Sequence, residues 1–236
     1  MPDTQTDTYD ALRVRALEIE RILNEEYGAP FLFFSRKDPL SQLVSALLSH
    51  RTKNKISSQA YHALWDKYGS WQAVIDAPTG EVERIIHMCT FPEVKAPRIQ
   101  EALQKVQEVT GELSLDFLAE MSVPEARAWL EEIRGIGAKT SAAVLNFSRL
   151  RMPALVVDTH HQRVAQRTGV VPKKASIERA SKILQNYLPE GYTGQQVYDA
   201  HQGYMRHGQR VCFWREPACA RCAVRHLCDY WKEQER

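Results

Sequence analysis

The 236-residue sequence contains no apolar run that approaches 18 residues, which excludes a membrane-spanning helix. It also lacks internal repeats, low-complexity linkers and, apart from residues 155–157, convincing strand-like segments. Without strands that alternate with helices, a Rossmann-type sheet is excluded. The first ten residues are polar and acidic, so we expect no secretory signal. The hydrophobic content of 44% and charged content of 25% exclude collagen-like, coiled-coil and wholly disordered chains.

Helical periodicity is the prevailing pattern of the chain. Apolar residues at positions 40, 43, 44, 47 and 48 follow the spacing of one helix face. Helices are predicted over residues 11–27, 40–48, 55–68, 71–76, 80–88, 95–110, 114–120, 124–133, 138–149, 159–168, 176–188 and 194–207. The fold class is therefore predicted to be all-α, and residues 1–10 are predicted to be disordered.

The net charge of +2 conceals basic segments. Residues 134–174 carry eight Lys or Arg residues against one acid, and residues 206–228 carry five against one. A basic surface built from separate segments suits a polyanion such as nucleic acid. Solvated helix faces that happen to be basic would give the same pattern, and charge alone does not separate the two.

Cysteine is scarce except near the C-terminus, where four of the five cysteines fall within 17 residues: Cys212, Cys219, Cys222 and Cys228. Without a signal peptide, this crowding indicates a metal site in a reducing compartment. Four thiolates can bind tetrahedral zinc or a [4Fe–4S] cluster. The spacing matches neither paired C-x2-C zinc motifs nor ferredoxins, so the residues alone leave the metal open.

Two glycines, Gly135 and Gly137, precede a predicted helix that carries Lys139 in its first turn. Such a turn lets the backbone approach a ligand closely, and the helix N-terminus suits a DNA phosphate. Lys139 is a candidate nucleophile. The alternatives are an ordinary helix–turn–helix connection and a solvated lysine.

Asp158 ends an apolar run at a predicted helix start. It is a candidate N-cap, and Thr159 and Gln162 have capping-box spacing. A carboxylate fixed at the end of a rigid element is also suited to catalysis. The two roles are compatible, because a cap fixes the position of the group.

Taken together, these signals resemble the endonuclease III family of the helix-hairpin-helix DNA glycosylase superfamily, whose members are iron–sulfur-containing bifunctional DNA glycosylase/AP lyases. The resemblance covers residues 39–228 and rests on the following residues, which occur in the family's order: Leu47-Leu48-Ser49, residues 135–140, residues 157–160, His207-Gly208 and the cysteines. The C-x6-C-x2-C-x5-C spacing resembles that of the family's [4Fe–4S] cluster.

The resemblance implies a two-domain all-α fold with a DNA cleft between a six-helix domain, residues 32–152, and an iron–sulfur domain, residues 1–31 with 153–236. It implies removal of oxidised or ring-saturated pyrimidines from double-stranded DNA, followed by strand cleavage at the resulting abasic site. The expected protein is a cytoplasmic, nucleoid-associated monomer without a membrane partner.

The resemblance also assigns roles to residues of this sequence. Lys139 and Asp158 would be catalytic, and the four clustered cysteines would hold one [4Fe–4S] cluster. The residues expected to contact DNA are Arg51, Arg134, Gly135, Gly137, Lys139, His160, Arg221 and Arg225.

The sequence departs from the family in three places, and the first is Ile133-Arg134, which stands before the hairpin where the family usually has Leu-Pro and is expected to add a phosphate contact. Arg51 stands where many members have a glutamine that helps to fill the gap left by the flipped base. Residues 88–93 lack the usual glycine before Lys95-Ala96, so the lesion-pocket loop is expected to differ, and Cys89 is expected to be buried without a ligand role. Three alternative functions fit parts of the same pattern: a monofunctional mismatch or lesion glycosylase, a non-cutting lesion-binding protein and an electron-transfer protein.

Overall fold

The computed structural model describes residues 4–32 and 37–235, with side chains described from residue 8 onward. These residues form twelve α-helices and three short 3₁₀ helices, and none of them lies in a β-strand. The predicted all-α fold class is confirmed. In the same residues, no helix has the length and apolar character that crossing a bilayer requires.

The chain divides into two compact units, which we call the contiguous unit, Ser35–Leu150, and the split unit, Met1–Phe34 with Arg151–Arg236. The contiguous unit contains α2 (Pro39–Ser49), α3 (Asn54–Tyr68), α4 (Trp71–Asp76), α5 (Thr79–Ile85), α6 (Pro92–Thr110), α7 (Val123–Glu131), α8 (Ala138–Phe147) and a 3₁₀ helix, Asp116–Glu120. Its described part thus contains seven α-helices, where the resemblance implies a six-helix domain, and Pro78 lies between the short helices α4 and α5.

The split unit begins with α1 (Thr4–Tyr27). It continues with α9 (Thr159–Arg167), α10 (Ile177–Tyr187), α11 (Gly194–Arg210), α12 (Asp229–Gln234) and the 3₁₀ helices Cys219–Arg221 and Arg225–Leu227. Its core joins α1, α9, α10 and α11 through buried apolar side chains that include Leu23, Val164, Leu184 and Val197.

The prediction that residues 1–10 are disordered is wrong from Thr4 onward, because α1 begins there; residues 1–3 lie outside the described part of the chain. Tyr9 donates a hydrogen bond of 2.9 Å from Oη to the carbonyl oxygen of Asn186. Its ring also meets that of Tyr187 edge-on, at 5.2 Å between centroids. These contacts with the end of α10 stabilise a helical turn that composition alone marks as polar and unstructured.

Helix α2 shows how local sequence positions the core of the contiguous unit. Asp38 caps the helix by accepting a hydrogen bond of 2.8 Å from the backbone N–H of Ser41, and Pro39 follows at the first helical position. The apolar face packs against α8 and α3, with Leu43 and Leu48 fully buried. The helix ends at Ser49 with His50 as its C-cap, and Arg51 then adopts a left-handed backbone with φ of 52°.

Candidate active site

The hairpin between α7 and α8 occupies residues 132–137. Gly135 has φ of +87°, and a Cβ at this position would lie 2.8 Å from Cδ of Arg98, so only glycine fits without displacing the arginine. Gly137 is the residue before α8, and Arg134 is exposed on the hairpin. A helix leaves the backbone N–H groups of its first turn unpartnered within the helix. Since the Thr140 N–H donates to the carbonyl oxygen of Gly137 at 2.8 Å, the hairpin presents the N–H groups of Ala138 and Lys139 together with an exposed guanidinium.

Lys139 is half-buried in the first turn of α8, in the contiguous unit. The next residue, Thr140, is buried, and its Oγ1 lies 3.0 Å from Nε2 of His50. Burial lowers the pKa of His50 to about 4, and the positive charges of Lys139, Lys95 and Arg98 act in the same direction. The imidazole is therefore neutral beside the candidate nucleophile.

Sequence reasoning did not single out His50. Its only signal was a polar residue at the end of the apolar α2 face, directly after Leu47-Leu48-Ser49. Nothing in that pattern indicated that a residue 90 positions away would be its partner.

The loop after α2 is held by a buried lysine. Lys95 Nζ donates hydrogen bonds of 2.7 Å to the carbonyl oxygen of Leu48 and to Oγ1 of Thr52. The backbone N–H of Thr90 donates to the same hydroxyl at 3.1 Å. These bonds join the loop that carries the exposed Arg51 to the loop at residues 88–93. Arg51 and residues 88–93, two of the departures from the endonuclease III pattern that the sequence resembles, are therefore carried by neighbouring loops.

The loop at residues 88–93 exposes two large apolar side chains. Phe91 is 49% exposed and adopts a left-handed backbone with φ of 57°, and Met88 is 36% exposed. Cys89, which lies between them in the sequence, is buried, and burial raises the pKa of its thiol. The expectation that Cys89 is a buried residue is confirmed.

Asp158 lies in the split unit, so the two predicted catalytic residues belong to different units. The carboxylate is half-buried and caps α9 by accepting a hydrogen bond of 2.8 Å from the backbone N–H of His161. Burial acts to raise the pKa of Asp158, but His201 and the His161 N–H outweigh it and hold the pKa below its usual value. The carboxylate is therefore ionised at neutral pH. The prediction that Asp158 is an N-cap is confirmed, whereas the predicted capping box is wrong, because Thr159 is already the first residue of α9 and the Gln162 amide donates to the carbonyl oxygen of Ala175.

Two buried histidines support the segment that carries Asp158. His201 Nδ1 lies 2.8 Å from the carbonyl oxygen of Val156, which can only accept, so this nitrogen carries the proton. The ring of His161 stacks on that of Tyr204 at 4.2 Å between centroids. Burial, together with His201, lowers the pKa of His161 to about 3, so the stacked ring is neutral.

His160 is tied to the cysteine-rich segment through Arg163. The Arg163 guanidinium lies 3.1 Å from His160 Nδ1 and donates hydrogen bonds to the carbonyl oxygens of Gly208, at 2.8 Å, and Cys212, at 2.9 Å. A Cβ on Gly208 would lie 2.7 Å from Cβ of His160. The close approach of α9 and α11 therefore depends on this glycine.

Four thiols line one cavity in the split unit: Cys212, Cys219, Cys222 and Cys228. None is in a disulfide. Arg167 donates a hydrogen bond of 3.2 Å to Sγ of Cys212, and His207 Nε2 lies 3.5 Å from Sγ of Cys222. Burial raises the pKa of Cys222 to about 11. In the residues that the structure describes, no three His, Cys, Asp or Glu side chains are close enough together to hold a single metal ion.

Two exposed arginines lie among these cysteines in the sequence. Arg221 donates a hydrogen bond of 2.5 Å to the carbonyl oxygen of Arg210. The Arg225 guanidinium lies 5.3 Å from the centroid of the Trp231 ring. Both side chains are exposed, and each guanidinium makes one of these contacts.

The sequence matches a family model over residues 44–190, that of the HhH-GPD superfamily base excision DNA repair proteins. Endonuclease III of Synechocystis sp. is 30% identical over 215 residues, which are 91% of this chain and 91% of that protein. Endonuclease III of Escherichia coli strain K12 is 28% identical over 219 residues, 92% of this chain and 96% of that protein.

Two solved structures share the fold. A trapped endonuclease III–DNA covalent intermediate matches with a TM-score of 0.77 and 23% identity, covering 95% of this chain and 99% of that chain. A thermostable thymine-DNA glycosylase matches with a TM-score of 0.74 and 20% identity, covering 98% and 100%. At these identities the structural likeness establishes the architecture alone.

Proposed function

The chain belongs to the endonuclease III family of the HhH-GPD superfamily of base excision DNA repair proteins, and from this premise we propose that it is a DNA glycosylase that also cleaves the strand at abasic sites. The observation that carries the proposal is Lys139, in the first turn of α8 directly after the Gly135-x-Gly137 hairpin. A monofunctional glycosylase activates water and needs no amine at this position. The proposed substrates are oxidised or ring-saturated pyrimidines in duplex DNA, and abasic sites.

In the proposed reaction the damaged nucleotide is flipped out of the stack. The Lys139 amine attacks C1′ of the deoxyribose, and the bond from C1′ to the base breaks with its electron pair leaving on the base, which takes up a proton. Ring opening gives a Schiff base between Lys139 and C1′, which makes the C2′ protons acidic. Loss of one of them expels the 3′ phosphate, so the strand breaks 3′ to the lesion.

Asp158 supplies the negative charge that this scheme requires. Its pKa lies below the usual value, so it is a carboxylate at the pH of the cell. As a carboxylate it stabilises positive charge that develops on the sugar, or accepts a proton from the attacking amine. The cap on α9 fixes its direction. Both roles require the ionised group.

We also propose that the four cysteines hold one [4Fe–4S] cluster. A single tetrahedral ion draws sulfur ligands to about 2.3 Å, whereas a cube spreads four thiolates around its corners. The four thiols line one cavity, as the four ligands of a cube must, and their spacing resembles that of the family's cluster. When bound, the cluster would supply a structural cross-link between the loops. The chain's own part is to hold Arg221 and Arg225 next to that cross-link.

The residues proposed to contact DNA fall into groups by the kind of contact that each would make. Arg134, Arg221 and Arg225 would bind phosphates as exposed guanidiniums. The glycines of the hairpin would let backbone N–H groups approach a phosphate, beside Lys139. Arg51 would enter the gap left by the flipped base. His160, held by Arg163, would contact DNA beside Asp158.

A covalent trap tests the proposed function. The purified protein is incubated with labelled duplexes carrying one thymine glycol or one abasic site, in the presence of sodium borohydride, which reduces a Schiff base to a stable amine. We expect a covalent adduct on both duplexes that is lost in Lys139→Ala. The matched control is Lys105→Ala, an exposed lysine of the same unit, which should trap at the wild-type level.

Each of the other outcomes would indicate a different function. Release of the base without an adduct would indicate a monofunctional glycosylase. Tight binding of both duplexes with neither release nor adduct would indicate a non-cutting lesion-binding protein. An adduct on the abasic site alone would retain the lyase and contradict the proposed base excision. We further propose that the protein acts as a monomer. We propose a reducing compartment as its location, since none of its five cysteines forms a disulfide.

A further inference from the structure

His50 links the end of α2 to the start of α8. Its Nε2 lies 3.0 Å from Oγ1 of Thr140, and Thr140 is only 4% exposed and directly follows Lys139. The two helices pack against each other within the contiguous unit. Because a hydroxyl and a neutral imidazole can each donate or accept, this bond forms with either tautomer of His50.

The surroundings of His50 are cationic. Lys95 and Arg98 come from α6, and Lys139 comes from α8. All three positive charges lower the pKa of the imidazole, in addition to its burial. Among the residues that the structure describes, no carboxylate is one of the groups that shift the pKa of His50. A lysine or arginine in place of His50 would bring a further positive charge beside Lys139, whereas histidine makes the hydrogen bond without one.

We infer that His50 is a positioning residue for Lys139, acting through its hydrogen bond to Thr140 in the first turn of α8. The inference rests on the proposed role of Lys139 as the nucleophile. Fixing Thr140 also fixes the backbone of the residue before it, and thereby the starting point of the lysine side chain. A misplacement of about 1 Å at a reacting group lowers a rate about 100-fold.

The test separates the rate of bond formation from DNA affinity. Single-turnover borohydride trapping on an abasic duplex is measured at saturating enzyme for the wild type, His50→Leu, His50→Gln, Thr140→Val and the double variant His50→Leu/Thr140→Val. Affinity is measured by fluorescence anisotropy on an uncleavable abasic analogue, and folding by circular dichroism and thermal denaturation.

We expect His50→Leu and Thr140→Val each to lower the trapping rate by about 10- to 100-fold, with Kd within twofold of the wild type. The double variant should be no slower than the slower single variant, because both changes remove the same bond. Gln can donate and accept, so His50→Gln should recover most of the rate. A merely structural role would not give this recovery together with an unchanged Kd.

Three results would overturn the inference: a folded His50→Leu protein that traps at the wild-type rate, single losses that multiply in the double variant, or a His50→Gln protein no faster than His50→Leu. If His50→Leu does not fold, the Thr140→Val rate decides by the same criterion. Wild-type trapping by Lys139→Ala would instead refute the proposed function, so the two failures are distinguishable.

Discussion

The buried ammonium of Lys95 lies 2.7 Å from the carbonyl oxygen of Leu48 in the last turn of α2. Lys95 is only 5% exposed, and burial lowers the pKa of its amine. Charged groups are rarely buried this deeply unless their donors are used. The Lys95 ammonium donates its second hydrogen bond to Oγ1 of Thr52. The Lys95 side chain therefore satisfies a carbonyl in the last turn of α2 and also fixes the loop that carries Arg51.

Replacing this lysine tests its part in holding the loop. Lys95→Met keeps the length of the side chain but leaves the Leu48 carbonyl without its donor. We expect a loss of about 1–3 kcal/mol in the free energy of unfolding, measured by urea denaturation. Lys105 is exposed on α6, the helix that also carries Lys95. Lys105→Met should therefore change the free energy of unfolding by less than about 0.5 kcal/mol. Equal effects of the two variants would contradict the assigned role.

Gly208 is expected to be irreplaceable for a packing reason. A Cβ there would lie 2.7 Å from Cβ and 3.1 Å from Cα of His160, so α9 and α11 must separate. We expect Gly208→Ala to lower the free energy of unfolding by about 1–3 kcal/mol and to weaken DNA binding by displacing His160. Gly80→Ala, whose Cβ meets nothing within 4 Å, is the control and should not destabilise the protein. Thermal denaturation of both variants checks this prediction.

Glu20 makes stability depend on pH. The side chain is buried in the split unit, and burial raises its pKa to about 7, against a hydrogen bond from Tyr192 that lowers it. Between pH 4.5 and pH 7 the folded state therefore binds more protons at this site than the unfolded state, so its contribution to stability falls as pH rises through this window.

The matched variant isolates that contribution. Glu20→Gln remains neutral at every pH, so its stability relative to the wild type should rise from pH 4.5 to pH 8, by at most about 3 kcal/mol. Comparing the two proteins at each pH cancels the contribution of the buried histidines to stability, which changes with pH in the opposite direction. A difference that stays constant between these pH values would show that Glu20 ionises normally.

The cysteine assignments predict how the iron content responds to substitution. The protein should be brown and contain about four irons per chain. Cys222→Ser should lose iron and destabilise the split unit, whereas Cys89→Ser, in the contiguous unit, should keep it. Iron analysis and visible absorption decide between them. Colourless wild-type protein with stoichiometric zinc would refute the cluster.

Phosphate contacts predict a dependence on salt. DNA affinity should fall steeply with ionic strength, because Lys and Arg side chains release counterions when they bind. Arg225→Ala should weaken binding and reduce the slope of log K against log salt by about 1. Arg84→Ala, an exposed arginine on α5, should leave the slope unchanged. An unaltered slope in Arg225→Ala would remove this residue from the interface.

The amino-acid sequence by itself determined the features that depend on neighbouring residues. The apolar period over residues 40–48 predicted α2, because a helix places residues three and four apart on one face. The glycine spacing predicted the hairpin before α8, and Asp158 before residue 159 predicted a cap. The cysteine spacing and the order of these motifs were sufficient to identify the family. Each of these signals lies within a few residues of the structure that it predicts.

The tertiary structure alone decided which distant residues meet. His50 reaches Thr140 across 90 positions, and Lys95 reaches Leu48 across 47. The start of α1 is ordered by Tyr9 at Asn186, 177 positions away, which is why the prediction of disorder failed there. Periodicity and capping describe interactions over one or two helical turns, whereas these contacts arise only when helices pack. The partners of a buried polar group are set by that packing, and the sequence pattern carries no record of them.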